Sequence, residues 1–251
     1  VFYRERDKDA PDVVNSFLKR ELERVIHNLH LHPSFVLLSM GNELTNEEGH
    51  SQLNEFVQLA RELDSTRLYT DNTGFGQLPA NDRQGDFYIP TLNWHPPYHI
   101  NHAALPDTTS DFSEVTRLEE KPLIAHEHGQ FTMYVRPKEA EKYKGVIKPN
   151  WLDSIQETLQ IKGLEHRVDE FIEATGVHMV RTLKEGMEKA RRTPNLSGIQ
   201  LLDIRDFPGQ GHATVGILDV FWDSKGVITP EEFSQFNNQT ILLMRSRKRT
   251  Y

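Results

Sequence analysis

The stretch FVLLSMGNE, residues 35–43, joins an apolar run to a polar end, Gly-Asn-Glu. A short apolar run of this kind predicts a strand that is buried within a sheet. An ionised carboxylate is costly to bury unless it is paired or remains in contact with water. We therefore expect Glu43 to lie at an open end of the fold or beside a compensating partner.

Helix and strand patterns alternate along the rest of the chain. Further helix patterns lie at 12–30, 51–63, 112–120 and 138–192, and further strand patterns at 67–70, 86–93, 122–126 and 197–204. Thr229-Pro-Glu-Glu232 has the spacing of a helix capping box. Short apolar strands that are separated by helices, without hairpin signals, predict a parallel sheet covered by helices.

Composition limits the classes of function. The 251 residues carry a net charge of −8 and no cysteine. The negative charge disfavours binding to nucleic acid or to an anionic membrane surface. Disulfides and thiolate metal sites are excluded, and no apolar run approaches the roughly 20 residues of a membrane span.

Polar side chains follow every predicted strand at its carboxyl end. These groups are Glu43, Asp71-Asn72, Asn93 to His95, His126 to His128, and Asp203 to Asp206. The carboxyl ends of parallel strands form the active-site face of a (β/α) barrel and the ligand crevice of an open doubly wound sheet. In either architecture Glu43 is buried on the side that faces the sheet and open on the side where a ligand would bind.

The alternation of side chains along the first strand indicates which residues share the face of Glu43. Counting back by twos gives Gly41 and Ser39, while Met40 and Leu38 fall on the other face. Small residues beside Glu43 suit a barrel interior, and the larger apolar residues suit the helix layer.

The same count from Glu127 gives Ala125 and Leu123 on its face of the strand. We therefore expect the side chain of Glu127 to face the same pocket as Glu43. Two carboxylates across a pocket are the groups that glycoside hydrolysis requires, one protonated and one ionised. The competing interpretation is that each glutamate caps a following helix or pairs with an arginine.

Four motifs resemble glycoside hydrolase family 2, the β-galactosidase and β-glucuronidase family. HPSFVLLSMGNE (32–43) resembles its acid/base strand, and KPLIAHEHGQF (121–131) resembles its nucleophile strand. SGIQLLDIRDFPG (197–209) lies where the last barrel strand belongs, and VGILDVFWDSKG (215–226) resembles the closing stretch. The likeness extends over about residues 12 to 240, with the motifs in the family's order.

The resemblance implies a retaining exo-glycosidase, β-galactosidase-like, on a (β/α)₈ TIM-barrel fold, with no cofactor and no metal. Glu43 would be the general acid/base and Glu127 the nucleophile. Substrate contacts would come from strand-end residues: Asn42 to the 2-hydroxyl, Trp94 and Tyr98 as a stacking face, and Asn93, His95, His126 and His128 around the sugar. A periplasmic or extracellular location would fit an enzyme that degrades polysaccharides.

The sequence departs from the family pattern at the last strand. The family usually has Trp near the end of this strand, whereas this chain has Asp203, Arg205 and Asp206, which predict a charged subsite. The Asn-x-Lys that β-glucuronidases use for the sugar acid is absent, and WDSKG (222–226) is the nearest equivalent. This difference disfavours a glucuronide as the substrate.

The resemblance places the five predicted strands as barrel strands four to eight. We therefore expect residues 1–251 to be a single catalytic-domain fragment, an incomplete barrel. Strands one to three and the family's β-sandwich domains would precede Val1. Five strands cannot close an eight-stranded barrel, so we expect little activity from this chain alone.

Two other functions stay open. His126 and His128, alternate residues at one strand end, could ligate the metal of a metal-dependent hydrolase. The barrel could also hold a carbohydrate without cleaving it. Assays with zinc and a panel of p-nitrophenyl glycosides would separate the three possibilities.

Overall fold

A computed structural model describes residues 12–44, 50–74, 76, 78–92, 108–207 and 213–246. These residues fall into two compact units. Unit 1 takes the described residues within Val1–Leu105, Ser110–His126 and Ala190–Gln200. Unit 2 takes those within Pro106–Thr109, Glu127–Lys189 and Leu201–Tyr251. Each unit is described by itself.

Helices and strands alternate as the sequence predicts. The helices are α1 (Asp12–Leu29), α2 (His50–Leu63), α3 (Ser113–Thr116), α4 (Asn150–Lys162), α5 (Val168–Arg192) and α6 (Pro230–Ser234), with 3₁₀ turns at Pro137–Lys142 and Glu165–Arg167. The strands are β1 (Leu37–Ser39), β2 (Leu68–Thr70), β3 (Thr73–Gly74), β4 (Ile89–Pro90), β5 (Leu123–His128) and β6 (Leu196–Leu201). None of the helices described is long and apolar enough to cross a bilayer.

The strands pair with their neighbours in chain order. β1 pairs with β2 and β3 with β4, both in parallel, and β5 pairs with β6. Parallel bridges from Asn42 to Thr73 and from Tyr88 to Leu123 link one pair to the next. Within the described residues the strands form three pairs and no closed barrel.

The sequence predicts five strands, whereas the described residues contain six. The additional strand is β3, which begins three residues after the end of the second predicted strand, 67–70, and which the sequence did not predict. The α/β character is confirmed, and the numbering of the strands as four to eight stays a prediction.

In unit 1, α1 and α2 cover one face of β1 and β2. Their cluster contains Ile26, Phe56 and Val57 from the helices together with Met40. Met40 is 1% exposed, whereas Leu37, on the other face of β1, is 45% exposed. The sequence prediction that Met40 faces the helix layer is therefore confirmed.

A second cluster in unit 1 corrects the alternation predicted for β5. Leu123 and Ala125 are fully buried with Val115 of α3 and Ala190 of α5, so they face helices. Counting back by twos from Glu127 therefore failed to identify the residues that line a mouth. The cause is local: Glu127 has φ 43°, and a left-handed residue interrupts the regular alternation of a strand.

Unit 2 is built around α5. A cluster of Met133, Ile172 and Met179, with Ile217 and Val227 against it, buries one stripe of this 25-residue helix. The capping box that the sequence predicts opens α6. The Glu232 amide donates to Thr229 Oγ1 at 3.2 Å, and the Thr229 amide donates to Glu232 Oε2 at 2.8 Å.

Candidate active site

Glu43 lies just beyond the end of β1 in unit 1. Its backbone has φ 52°, a left-handed conformation that is uncommon for residues other than glycine. The Glu43 amide donates to the Thr73 carbonyl at 2.7 Å, which ties this conformation to the neighbouring strand. The side chain is 29% exposed. The open front that the sequence predicts for Glu43 is therefore present in unit 1.

Two side chains from the adjacent strand hold the segment around Glu43. Asn72 Nδ2 donates to the Leu44 carbonyl at 3.1 Å, and Asn72 Oδ1 accepts from the Leu44 amide at 3.0 Å. The Thr73 hydroxyl lies 3.2 Å from the Gly41 carbonyl and also contacts Asn42 Oδ1. These bonds offset part of the cost of the left-handed residue by satisfying buried polar groups.

His126, at the end of β5, lies beside Glu43. Its Nε2 is 3.7 Å from Glu43 Oε1, and its Nδ1 is 3.4 Å from Gln200 Oε1. Gly74 makes this approach possible: a Cβ there would lie 2.9 Å from the His126 ring and 3.0 Å from Glu43 Cγ. The sequence assigned no role to Gly74, because a glycine's neighbours in space leave no sequence pattern.

A buried ion pair supports the same strand. Arg83 binds Asp71 with two hydrogen bonds, Nε to Oδ2 at 2.7 Å and Nη2 to Oδ1 at 2.8 Å. The guanidinium also lies 4.3 Å from the ring centroid of Tyr88. Asp71 directly precedes the Asn72 and Thr73 that hold the Glu43 segment. The strand-end Asp71 therefore forms an ion pair with Arg83, a partner that the sequence did not predict.

Glu127 belongs to unit 2 and has φ 43°. Gln130 Nε2 donates to Glu127 Oε2 at 3.0 Å, which orients the carboxylate. Glu127 is partly buried and directly follows His126 along β5. Glu43 and Glu127 therefore both occupy left-handed positions at the ends of strands.

His128 has a structural contact within unit 2. Its Nε2 is 2.8 Å from the Gly186 carbonyl, so the ring links β5 to α5. Burial lowers the pKa of His128 and favours the neutral ring, which donates to that carbonyl. This bond occupies Nε2, so any metal bound by His128 would have to use Nδ1.

The three charged residues after β6 have different surroundings. Asp206 is buried and accepts from Lys225 Nζ at 2.6 Å and from the Gly216 amide at 2.9 Å. Asp203 accepts from the amide of the residue that follows it. The Arg205 guanidinium lies 5.3 Å from the ring centroid of Trp222. The predicted charged subsite stays a prediction, and Lys225 of the WDSKG motif is held by Asp206.

Four predicted substrate-binding residues, Asn93, Trp94, His95 and Tyr98, lie outside the described residues. Their roles stay predictions.

A buried carboxyl in unit 2 gives a prediction about pH. Burial, followed by the Asp219 and Asp206 carboxylates, raises the pKa of Glu139 to about 6, and Lys142 and Lys225 oppose this shift. The unfolded chain, with its lower pKa, loses this proton first, so the Glu139 contribution makes folding less stable as pH rises from about 4.5 to about 6. We expect Glu139→Gln to raise the free energy of unfolding by about 1 kcal/mol at pH 8, after allowing for solvent screening, and to leave it unchanged at pH 4.

Urea denaturation of both proteins at the two pH values measures this difference. The exposed neighbour Glu141 provides the control, since Glu141→Gln should change stability little at either pH. Equal effects of Glu139→Gln at pH 4 and pH 8 would contradict the assignment.

Comparisons with known proteins agree with this arrangement of strands. A family model described as "Glycosyl hydrolases family 2, TIM barrel domain" matches residues 3–195. No curated protein matches the chain. Among solved structures, a beta-glucuronidase from an uncultured Clostridium sp. has a TM-score of 0.56 at 18% identity, covering 85% of this chain and 34% of its own.

Two further solved structures are similar at the level of the fold. A beta-D-glucuronidase from Dictyoglomus thermophilum has a TM-score of 0.55 at 15% identity, covering 85% of this chain and 34% of its own. A beta-galacturonidase from Eisenbergiella tayi bound to galacturonate has a TM-score of 0.54 at 15% identity, covering 83% of this chain and 34% of its own. The chain thus spans about a third of the length of these structures.

Proposed function

Because the chain belongs to the glycosyl hydrolases of family 2, we propose that it cleaves β-glycosidic bonds by a retaining mechanism with two glutamates. One observation carries this proposal. Glu43 is partly exposed and its carboxylate lies 3.7 Å from His126, and Glu127 is the next residue after His126 on β5. Under this proposal both carboxylates face one pocket, as a double displacement requires.

In the proposed reaction, Glu127 attacks the anomeric carbon while Glu43 gives its proton to the departing glycosidic oxygen. The products of this step are a glycosyl ester on Glu127 and the free alcohol or sugar. Glu43, now ionised, removes a proton from water, and the water oxygen replaces Glu127 at the anomeric carbon. Asn42, whose Oδ1 contacts the Thr73 hydroxyl, presents its amide nitrogen to the sugar's 2-hydroxyl.

The proposed substrate is a neutral β-glycoside of the galactoside type. A uronic acid requires a cation, and the nearest candidate in the WDSKG motif, Lys225, is buried against Asp206. The similar solved structures include glucuronidases and galacturonidases, so the substrate test must contain both uronides. Faster turnover of a β-glucuronide or β-galacturonide than of a β-galactoside would contradict the proposal that the substrate is neutral.

The distance between the two carboxyl groups tests the mechanism directly. We expect the carboxyl carbons of Glu43 and Glu127 to lie about 5 Å apart, because the retaining nucleophile must reach the anomeric carbon without an intervening water. A crystal structure of the protein with a bound monosaccharide measures this distance. A separation beyond about 9 Å would argue for inversion or for the absence of a shared site.

We also propose that the 251-residue chain alone gives little turnover. In the described residues β1 pairs only with β2, so its other edge is unpaired and Leu37 is open to solvent. A (β/α)₈ barrel closes with eight strands, whereas the described residues form three pairs. Assays of this chain on p-nitrophenyl β-galactoside, β-glucuronide and β-galacturonide test the proposal, and robust turnover of any of them would contradict it.

The same assays with added zinc address the metal-dependent alternative. The retaining mechanism needs no metal, so chelator and zinc should both leave the rate unchanged. Activity that appears only with zinc would instead favour His126 and His128 as ligands. Sugar binding with no turnover, in any longer protein that contains this chain, would favour a binding barrel.

A further inference from the structure

Trp222 of unit 2 combines high exposure with an unfavourable backbone. The residue is 63% exposed and has φ 71°. Four non-glycine residues have a positive φ in the part of the chain that the structure describes: Glu43, Glu127, Asn195 and Trp222. Asparagine tolerates this region, whereas a bulky side chain in it is an outlier. Such outliers concentrate at sites that act on ligands, as proposed above for the two glutamates.

The turn that carries Trp222 is held rigid by a buried carboxylate. Asp219 Oδ1 accepts from the amides of Phe221 at 2.8 Å and Asp223 at 3.0 Å, and the Trp222 amide donates to the Asp219 carbonyl at 3.1 Å. Lys142 Nζ joins the two ends of the turn, contacting Asp219 and lying 2.6 Å from Asp223 Oδ2. A rigid turn lowers the entropy that a ligand must remove on binding.

Arg205 lies over one face of the indole. Its guanidinium lies 5.3 Å from the Trp222 ring centroid, and its Nη1 donates to the Asp206 carbonyl at 3.1 Å. Asp206 is in turn buried against Lys225, so the backbone that carries Arg205 is anchored. The result is a flat apolar ring next to a fixed planar group with several N–H donors.

We propose that Trp222 and Arg205 form a carbohydrate-binding platform, defined by these two residues. The C–H face of a pyranose ring stacks on the indole face opposite the guanidinium, and the guanidinium holds the indole in position. The ring shape matches a ligand that has one apolar face and a polar rim. The choice of a carbohydrate, rather than another ligand with these features, rests on the proposed function.

Affinity electrophoresis tests the platform without requiring catalysis. The 251-residue chain carrying Glu127→Gln migrates through native gels that contain soluble β-1,4-galactan, β-1,3-glucan or polygalacturonate. We expect at least one polymer to retard it. Trp222→Ala should raise the dissociation constant for that polymer at least tenfold, and Arg205→Ala should raise it several-fold. Ile161→Ala is the matched control, because Ile161 is a 78% exposed apolar residue of α4 and should have no effect.

Three results would overturn the platform. In the first, no polymer retards the parent protein, which would contradict a carbohydrate as the ligand. In the second, Trp222→Ala is folded by circular dichroism and binds like its parent, which would contradict the role of Trp222. In the third, sedimentation shows that Trp222→Ala dissolves a dimer while sugar binding persists, which would make the surface a contact between copies of this chain.

The test of the platform and the test of the proposed hydrolase activity can give different results. Polymer binding that depends on Trp222, with no glycosyl ester on Glu127 in any longer protein that contains this chain, upholds the platform and contradicts the hydrolase. A glycosyl ester without Trp222-dependent binding upholds the hydrolase and contradicts the platform.

Discussion

Replacing Glu127 by glutamine should abolish turnover in any protein that contains this chain and cleaves glycosides. The amide cannot act as a nucleophile toward the anomeric carbon, so kcat for p-nitrophenyl glycosides should fall by about 10⁴-fold or more. A 2-deoxy-2-fluoro glycoside should add one sugar mass to the parent protein and none to Glu127→Gln. Near-normal rates in this variant would show that the nucleophile is another residue.

Glu43→Gln provides the informative comparison. Its loss should depend on the leaving group: about 10² to 10⁴-fold for an alkyl glycoside, and far less for a dinitrophenyl glycoside, which leaves without an acid. The exposed Glu55 on α2 is the control, since Glu55→Gln should retain the parent rate on both substrates. An equal loss on both substrates would contradict the role of Glu43 as the acid.

The largest effect on stability should come from separating Asp71 from Arg83. Both side chains are almost completely buried, and two hydrogen bonds join them. Arg83→Met leaves the Asp71 carboxylate in the interior without its ion-pair partner, so we expect the free energy of unfolding to fall by about 3–5 kcal/mol. Domains of this kind are stable by only about 5–15 kcal/mol, so urea denaturation should register the change clearly.

A double-mutant cycle separates the charge from the packing. Asp71→Leu combined with Arg83→Met removes both charges and should be less destabilising than either single change. The exposed pair of Arg24 and Glu21 on α1 is the control, and Arg24→Met should cost less than about 1 kcal/mol. Additive losses across the cycle would contradict a coupled pair.

The order of helices and strands was predictable because local patterns carry it. Apolar periodicity marked α1 and α2, and short apolar runs marked β1, β2, β5 and β6. The burial of Met40 against α1 and α2 followed from simple alternation. The capping box of α6 followed from residues three positions apart. Each of these features depends on neighbours within a few residues along the chain.

The details around Glu43 depend on contacts between distant residues. Asn72 binds the backbone of Leu44, 28 positions away, and Arg83 binds Asp71 across 12 positions. Gly74 is required by the ring of His126, which is separated from it by more than 50 residues. A sequence pattern records none of these partners, since they become neighbours only when the strands pair.

By itself the sequence determined that the chain alternates helices and strands, and that Glu43 and Glu127 follow apolar strands in motifs similar to those of family 2. Only the tertiary structure decided that both glutamates adopt a left-handed backbone and that Leu123 and Ala125 face helices instead of lining a mouth. The physical reason is that the residue pattern of a strand predicts two faces. Which face a strand-end side chain takes is set by the backbone dihedral angles, which hydrogen bonds from the adjacent strand hold in place.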